Sequence, residues 1–219
     1  MTKHLPLTDS RFLEFYGILL GDGWISRFKA KHHRDYNLHW IGITGNIHEE
    51  DYLLNHVIEL IRSVSDSKIM IKRRTNDNAL ELVFNDKWLA LALNEELFFP
   101  IGLKHDLMVR PDILSDWTRL KHVLRGLFDT DGTIYFDRAK GYARPYPIVE
   151  LNMNEPKLIK QIITQLKKQR YHVTVSRNRS RLRLKGFSQV NRWFTEVKPY
   201  NNKHLIKYVK YVAPVAQLG

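Results

Sequence analysis

Cysteine is missing altogether from the 219 residues. That excludes a disulfide framework, a thiolate metal site and a thiol nucleophile, so any metal must be held by oxygen or imidazole ligands. Long hydrophobic runs are missing as well. No apolar stretch approaches the length needed to cross a bilayer, and the opening MTKHLPLTDSRFLEF lacks the pattern of a signal peptide. The chain is therefore expected to be soluble and intracellular, in the cytoplasm or, in a eukaryote, in an organelle. Acidic residues are in short supply: 23 Asp and Glu face 35 Lys and Arg, a net charge of +12. Phosphate neutralisation is the commonest use of such an excess, so nucleic acid is the expected partner, although charge alone separates neither DNA from RNA nor a binder from an enzyme. Hydrophobic residues make up 43% of the chain, enough for a substantial core and against disorder.

What the chain does contain is written twice. FYGILLGDG, from Phe15 to Gly23, is echoed by LRGLFDTDG, from Leu124 to Gly132. Both read apolar, variable, Gly, apolar, apolar, two variable positions, Asp-Gly, and Asp22 and Asp131 lie half a chain length apart. A second echo pairs Pro100-x-x-x-Lys104-His105 with Pro199-x-x-x-Lys203-His204. Between these landmarks the periodicity repeats. In the first half it predicts strands at Trp24–Lys31 and Tyr36–Thr44 and a helix from about His48 to Val64. Strands at Lys68–Thr75 and Ala79–Phe84 and a helix over Asp86–Leu97 follow. The second half gives strands at Thr133–Arg138 and Pro147–Met153, a helix over Glu155–Gln169, and strands at Tyr171–Asn178 and Arg181–Lys185. Helices over Ser188–Val197 and Lys203–Val212 close it. The reading is an α+β chain of two αββαββα subdomains, 1–110 and 116–219, related by an approximate twofold axis and joined by a linker at 111–115. It would act as a monomer with internal pseudosymmetry.

Each motif ends a largely apolar helix, capped by Thr8-Asp9-Ser10 in the first case and by Ser115 or Asp116 in the second. Small residues four apart, Gly17 with Gly21 and Gly126 with Thr130, would let the two helices approach closely and set Asp22 beside Asp131. Two carboxylates at two negative helix ends repel, and a hard cation such as Mg²⁺ resolves that repulsion. Such ions can bridge carboxylates and phosphate oxygens and activate water, while Lys104 and Lys203 could polarise a phosphate or position that water. A single Asp-Gly after an apolar helix is more often a plain cap and turn. Two copies, each followed by the same element order and a matching lysine, reverse those odds. For the lysines alone, a solvated helix-start residue is an equally good reading.

The strands carry the remaining signal. In Arg181-Leu182-Arg183-Leu184-Lys185 the basic residues alternate with leucines, and Arg177 and Arg179 stand in the preceding turn. Lys68 to Arg74 reads similarly, with Ile69 and Ile71 inward and Lys72 and Arg74 outward. Few acids oppose these bases. Such faces fit a major groove, and the candidate DNA contacts are Ser26, Lys72, Arg74, Tyr135, Arg138, Arg177, Arg179, Arg181, Arg183 and Lys185.

The two nine-residue motifs resemble those of the LAGLIDADG homing endonucleases in their single-chain, two-motif form, and the repeated element order extends the resemblance to nearly the whole chain. It implies motif helices at the interface between halves, saddle-shaped antiparallel sheets over a long, imperfectly palindromic double-stranded DNA site, and staggered cleavage of both strands. It further implies two or more Mg²⁺ or Mn²⁺ ions between Asp22 and Asp131, backbone carbonyl ligands at Gly21 and Thr130, and catalytic roles for Lys104 and Lys203. Departures exist. The family's acidic interface position is Asp129 in the second copy but Leu20 in the first. The family's polar residue near the metals would fall at Gly45-Asn46 and Met153-Asn154, and no role is carried over there. An RNA-binding intron maturase and a non-catalytic DNA-binding regulator stay open as alternatives.

Overall fold

The computed structural model describes residues 4–30, 33–138, 145–177 and 180–212. Helix α1 (Ser10–Asp22) begins where the Asp9 carboxylate accepts the backbone N–H of Arg11 at 2.7 Å and of Phe12 at 3.3 Å. Its residues from Phe12 to Leu20 are all buried, so it has no solvated face and must run through the centre of the molecule. Strands β1 (Gly23–Ala30) and β2 (His33–Asn46) follow as a hairpin. A 3₁₀ turn at Ile47–Glu49 and a π-helical stretch at Tyr52–Val57 lead into α2 (Ile58–Val64). Strands β3 (Met70–Arg74) and β4 (Ala79–Asn85) precede α3 (Lys87–Leu97), which Asp86 caps through Leu89 N–H. The chain then crosses through the short α4 (Pro111–Ser115) to α5 (Trp117–Asp131), capped by Asp116. Strands β5 (Gly132–Asp137) and β6 (Tyr146–Asn152), helix α6 (Pro156–Lys168), strands β7 (Val173–Val175) and β8 (Arg181–Lys185), and helices α7 (Phe187–Glu196) and α8 (Asn202–Tyr211) complete the second half.

The two antiparallel sheets have the same order, β1-β2-β4-β3 and β5-β6-β8-β7. Pleat alternation gives each sheet one covered face. Ile25, Ile41, Ile43, Leu80, Leu82 and Phe84 of the first sheet join the hydrophobic core, as do Ile134, Val149, Leu151, Leu182 and Leu184 of the second. Residues between them face the other way and form two open faces.

Several expectations change in detail. The helix expected over 48–64 is α-helical at 50–51 and again from Ile58, with the π-helical stretch between; the apolar spacing that suggested a helix does not separate i→i−4 from i→i−5 bonding, and Ile58 N–H reaches Leu53 C=O. The strand expected at Tyr171–Asn178 is confined to Val173–Val175 among the described residues. Arg170 takes a positive φ of 59° and Tyr171 N–H closes back onto Leu166 C=O at 2.9 Å, so Tyr171 belongs to the turn ending α6. Ile71 is on the covered side of β3, opposite Leu82, yet is 43% exposed, because β3 is an edge strand at the margin of the helical layer. The segment expected to link the halves contains a helix, α4. Finally, α8 has no helical counterpart in the first half: residues 99–110 run without regular structure.

Candidate active site

The close approach of α1 and α5 rests on glycine. A Cβ on Gly17 would stand 2.1 Å from Val123 C=O, and one on Gly126 2.1 Å from Glu14 C=O, each a clash with the backbone of the facing helix. At the helix ends a Cβ on Gly21 would meet Thr130 Oγ1 at 2.0 Å and lie 3.3 Å from an Asp131 carboxylate oxygen. The Thr130 hydroxyl fills that space and donates to Leu127 C=O at 2.9 Å. Asp22 and Asp131 therefore end adjacent helices side by side. Burial, and then the charge of Asp131, push the Asp22 carboxyl up to about 6, with Lys203 and Lys104 acting the other way. Burial also raises Asp131, again opposed by Lys104 and Lys203.

Both lysines reach the helix ends. Lys104 donates to the carbonyls of Gly21, Leu19 (3.3 Å) and Gly23 (3.2 Å), and burial lowers its pKa. It comes from the irregular segment after α3 and is not a helix-start residue. Lys203, in the first turn of α8, donates to Thr130 C=O at 3.1 Å and pairs with Glu49 at 3.0 Å. Each ammonium thus meets the free carbonyls of a helix C-terminus, where cations are favoured.

Glu49 was not singled out from the sequence. It follows β2 in the first half yet binds second-half residues, Lys203 and the Asn201 side-chain amide (2.6 Å), and its charge reaches Asp22. Its local context, His48-Glu49-Glu50-Asp51, reads only as a polar helix start, so nothing short of the tertiary fold marks it. Nearby, His56 stacks on Tyr200 with ring centroids 3.8 Å apart and bonds to Glu14 at 2.6 Å, and Glu14 pairs with Arg125 at 2.9 Å. The first half is thereby fastened to the loop before α8.

Asp129 and Leu20 differ for a structural reason. The wholly buried Asp129 accepts the backbone N–H groups of Tyr200 (2.8 Å) and Asn201 (3.1 Å), within its own half; burial pushes its carboxyl up to about 8. Read against the repeated Pro-x-x-x-Lys-His, the matching residues of the first half are Ile101 and Gly102, and Gly102 N–H instead meets Ile25 C=O at 2.8 Å. Gly102 thus needs no side-chain acceptor, and Leu20 is buried among apolar side chains.

Most expected DNA contacts lie on the open faces: Ser26, Lys72 and Arg74 on the first sheet, and Tyr135, Arg181, Arg183 and Lys185 on the second. Acids oppose more of them than the composition suggested. Arg74 pairs with Asp77 (3.1 Å) and Glu81 (3.0 Å), while Glu150 takes both Arg183 and the Tyr135 hydroxyl. Both glutamates come from neighbouring strands, which linear spacing does not reveal. Arg138 is exposed just past β5. Arg177 is exposed too, but it shares a groove with Lys160, Ile163 and Lys167 of α6 and is not grouped with the open face. Arg179 lies outside the described residues.

No protein-family model and no curated protein matches the sequence. The fold is that of single-chain LAGLIDADG homing endonucleases. I-DmoI, solved in complex with DNA and Ca, superposes with a TM-score of 0.58 at 15% identity over 85% of this chain and 86% of that one. The LAGLIDADG homing endonuclease I-LtrWI bound to target DNA gives 0.57 at 11% identity over 96% and 91%. The LAGLIDADG meganuclease I-AabMI bound to uncleaved DNA gives 0.61 at 14% identity over 94% and 90%.

Proposed function

We propose that the chain is a site-specific DNA endonuclease that hydrolyses both strands of a long, imperfectly palindromic duplex in a divalent-metal-dependent reaction. The observation that carries this reading is the pair Asp22 and Asp131 at the ends of two glycine-packed helices, each end capped by a lysine. The fold it shares with DNA-bound homing endonucleases supports it, and I-DmoI is also solved with DNA and Mn. Residues 1–110 and 116–219 are read as the two subdomains, one over each half-site.

The donor set fits a hard divalent cation. Among the described residues no cluster of three or more His, Cys, Asp or Glu forms a closed protein cage. What is present is two mutually repelling carboxylates beside the carbonyls of Gly21 and Thr130, which accept from Lys104 and Lys203, and all four are oxygen donors. When bound, such ions supply positive charge to the attacked phosphate and make water a better nucleophile. Asp22 and Asp131 would hold them. Lys104 and Lys203 add one ammonium per half for the negative charge that develops on the phosphate, and Glu49 orients Lys203. The open sheet faces hold the duplex.

Asp22→Asn and Asp131→Asn should each abolish cleavage while leaving DNA affinity within a few-fold, since only the charge for metal ligation changes. Purified protein is incubated with a randomised duplex library in Mg²⁺ or EDTA, and the cut ends are sequenced. Metal-dependent ends at one long site with a stagger support the reading; wild-type rates in either variant would sink it.

A further inference from the structure

The two open faces carry different chemistry at symmetry-related places. Each sheet's register starts from the glycine after the motif aspartate, Gly23 opposite Ile43 and Gly132 opposite Leu151. One residue further out, the cross-strand row of the first sheet is Trp24, Gly42, Val83 and Met70. The same row of the second sheet is Thr133, Glu150, Arg183 and Thr174. Both rows face away from the core.

In the first row the Trp24 ring lies flat on the strand: a Cβ on Gly42 would stand 2.2 Å from an indole carbon, and the indole N–H is taken up by Thr44 Oγ1 at 3.2 Å. Val83, though on this face, is only 2% exposed, so the half-buried Trp24 and Met70 are what the row offers. It is an apolar surface with its one polar donor already bonded. In the second row the Glu150 side chain is 10% exposed and accepts from Arg183 Nε, while the Tyr135 hydroxyl binds the same oxygen at 3.3 Å. The bond through Nε fixes the guanidinium and leaves its two terminal nitrogens as the donors that a guanine O6 and N7 would take. Holding the arginine before DNA arrives removes part of the entropy cost of that contact.

We infer that the two half-sites differ at this symmetry-related position: Arg183, held by Glu150 and Tyr135, reads a guanine in one, and the apolar row under Trp24 and Met70 meets a thymine methyl in the other. The inference rests on the proposed DNA-cleaving function and says which bases that function selects.

Duplexes retained by the wild-type protein from a randomised pool are sequenced beside those retained by Arg183→Met and Arg183→Lys. A guanine in one half-site should lose about tenfold or more of its preference in Arg183→Met and less in Arg183→Lys, while the rest of the site is unchanged. Arg183→Met has neither the charge nor the donors, so a guanine preference surviving in it overturns the inference and leaves the endonuclease standing. At the mirrored position the pool should yield thymine, and deoxyuridine there should weaken wild-type binding about fourfold, the worth of one methyl group. Indifference to that methyl, or guanine at both positions, also overturns it. A pool from which the wild type retains no preferred sequence ends both the inference and the function beneath it.

Discussion

A carboxylate that must share space with another is held partly protonated until something positive arrives. Asp22, raised to about 6 by burial and by Asp131, is in that position. In the proposed metal site its ligating form would be the ionised one, so cation affinity should fall as pH drops through about 6, by about tenfold per pH unit when one proton is displaced. Calorimetric titration with Ca²⁺ between about pH 5 and pH 8 reads this directly; a flat profile would mean that Asp22 is not a ligand. Asp129 poses a different problem, since its raised pKa accompanies two backbone bonds. Asp129→Leu, which copies the first half, leaves the N–H groups of Tyr200 and Asn201 without their acceptor and should cost about 2 kcal/mol in urea unfolding. Done at pH 6, below its folded-state value, the comparison removes a protonated carboxyl and so measures lost hydrogen bonds rather than lost charge. Unchanged stability would show that the loop finds other acceptors.

Between elements, the contact that decides the site is α1 against α5. Glycines at Gly17 and Gly126 let each backbone touch the other, and the residues around them, Phe15, Ile18, Leu124 and Leu127, are buried. Gly126→Ala puts a methyl 2.1 Å from Glu14 C=O, where only a shift of the helix relieves the clash. The cost should be about 3 kcal/mol, at the upper end for overpacking, and Asp22 and Asp131 should move apart. Thermal unfolding should show the lost stability, and cleavage should fall more than DNA binding does; equal losses in both would mean that the whole fold has loosened. The motif helices were legible because Gly, apolar runs and capping aspartates are local signals. The start of β7 was not, because strand propensity continues through Tyr171 while the turn at Arg170 holds that residue against α6.

For the whole molecule, the 35 Lys and Arg are not all free contacts, because Arg73, Arg74 and Arg183 are each tied to an acid. DNA affinity should still fall steeply with salt, with a log–log slope on the order of five, since each neutralised phosphate contributes about 0.9. Fluorescence anisotropy between about 50 and 200 mM salt tests it, and a flat response would remove the open faces from the DNA. The halves are also less equal than the repeat suggests. Among the described residues only the second has a helix carrying its lysine and a salt bridge from that lysine to a glutamate of the other half, while Lys104 feels the charge of Glu155 without such a bridge.

The sequence alone determined the duplication, the two motif helices, their aspartates and lysines, and the alternation that gives each sheet a covered and an open face. Those follow from local chemistry: caps, small residues at helical spacing and a period of two. Tertiary structure decided which acids meet which bases. Glu49 reaches Lys203 from the other half of the chain, and Glu81 and Glu150 reach arginines from neighbouring strands, so their partners depend on register and on how the halves dock. It also decided that Asp129 answers to two backbone N–H groups of its own half, because only the folded loop before α8 presents them.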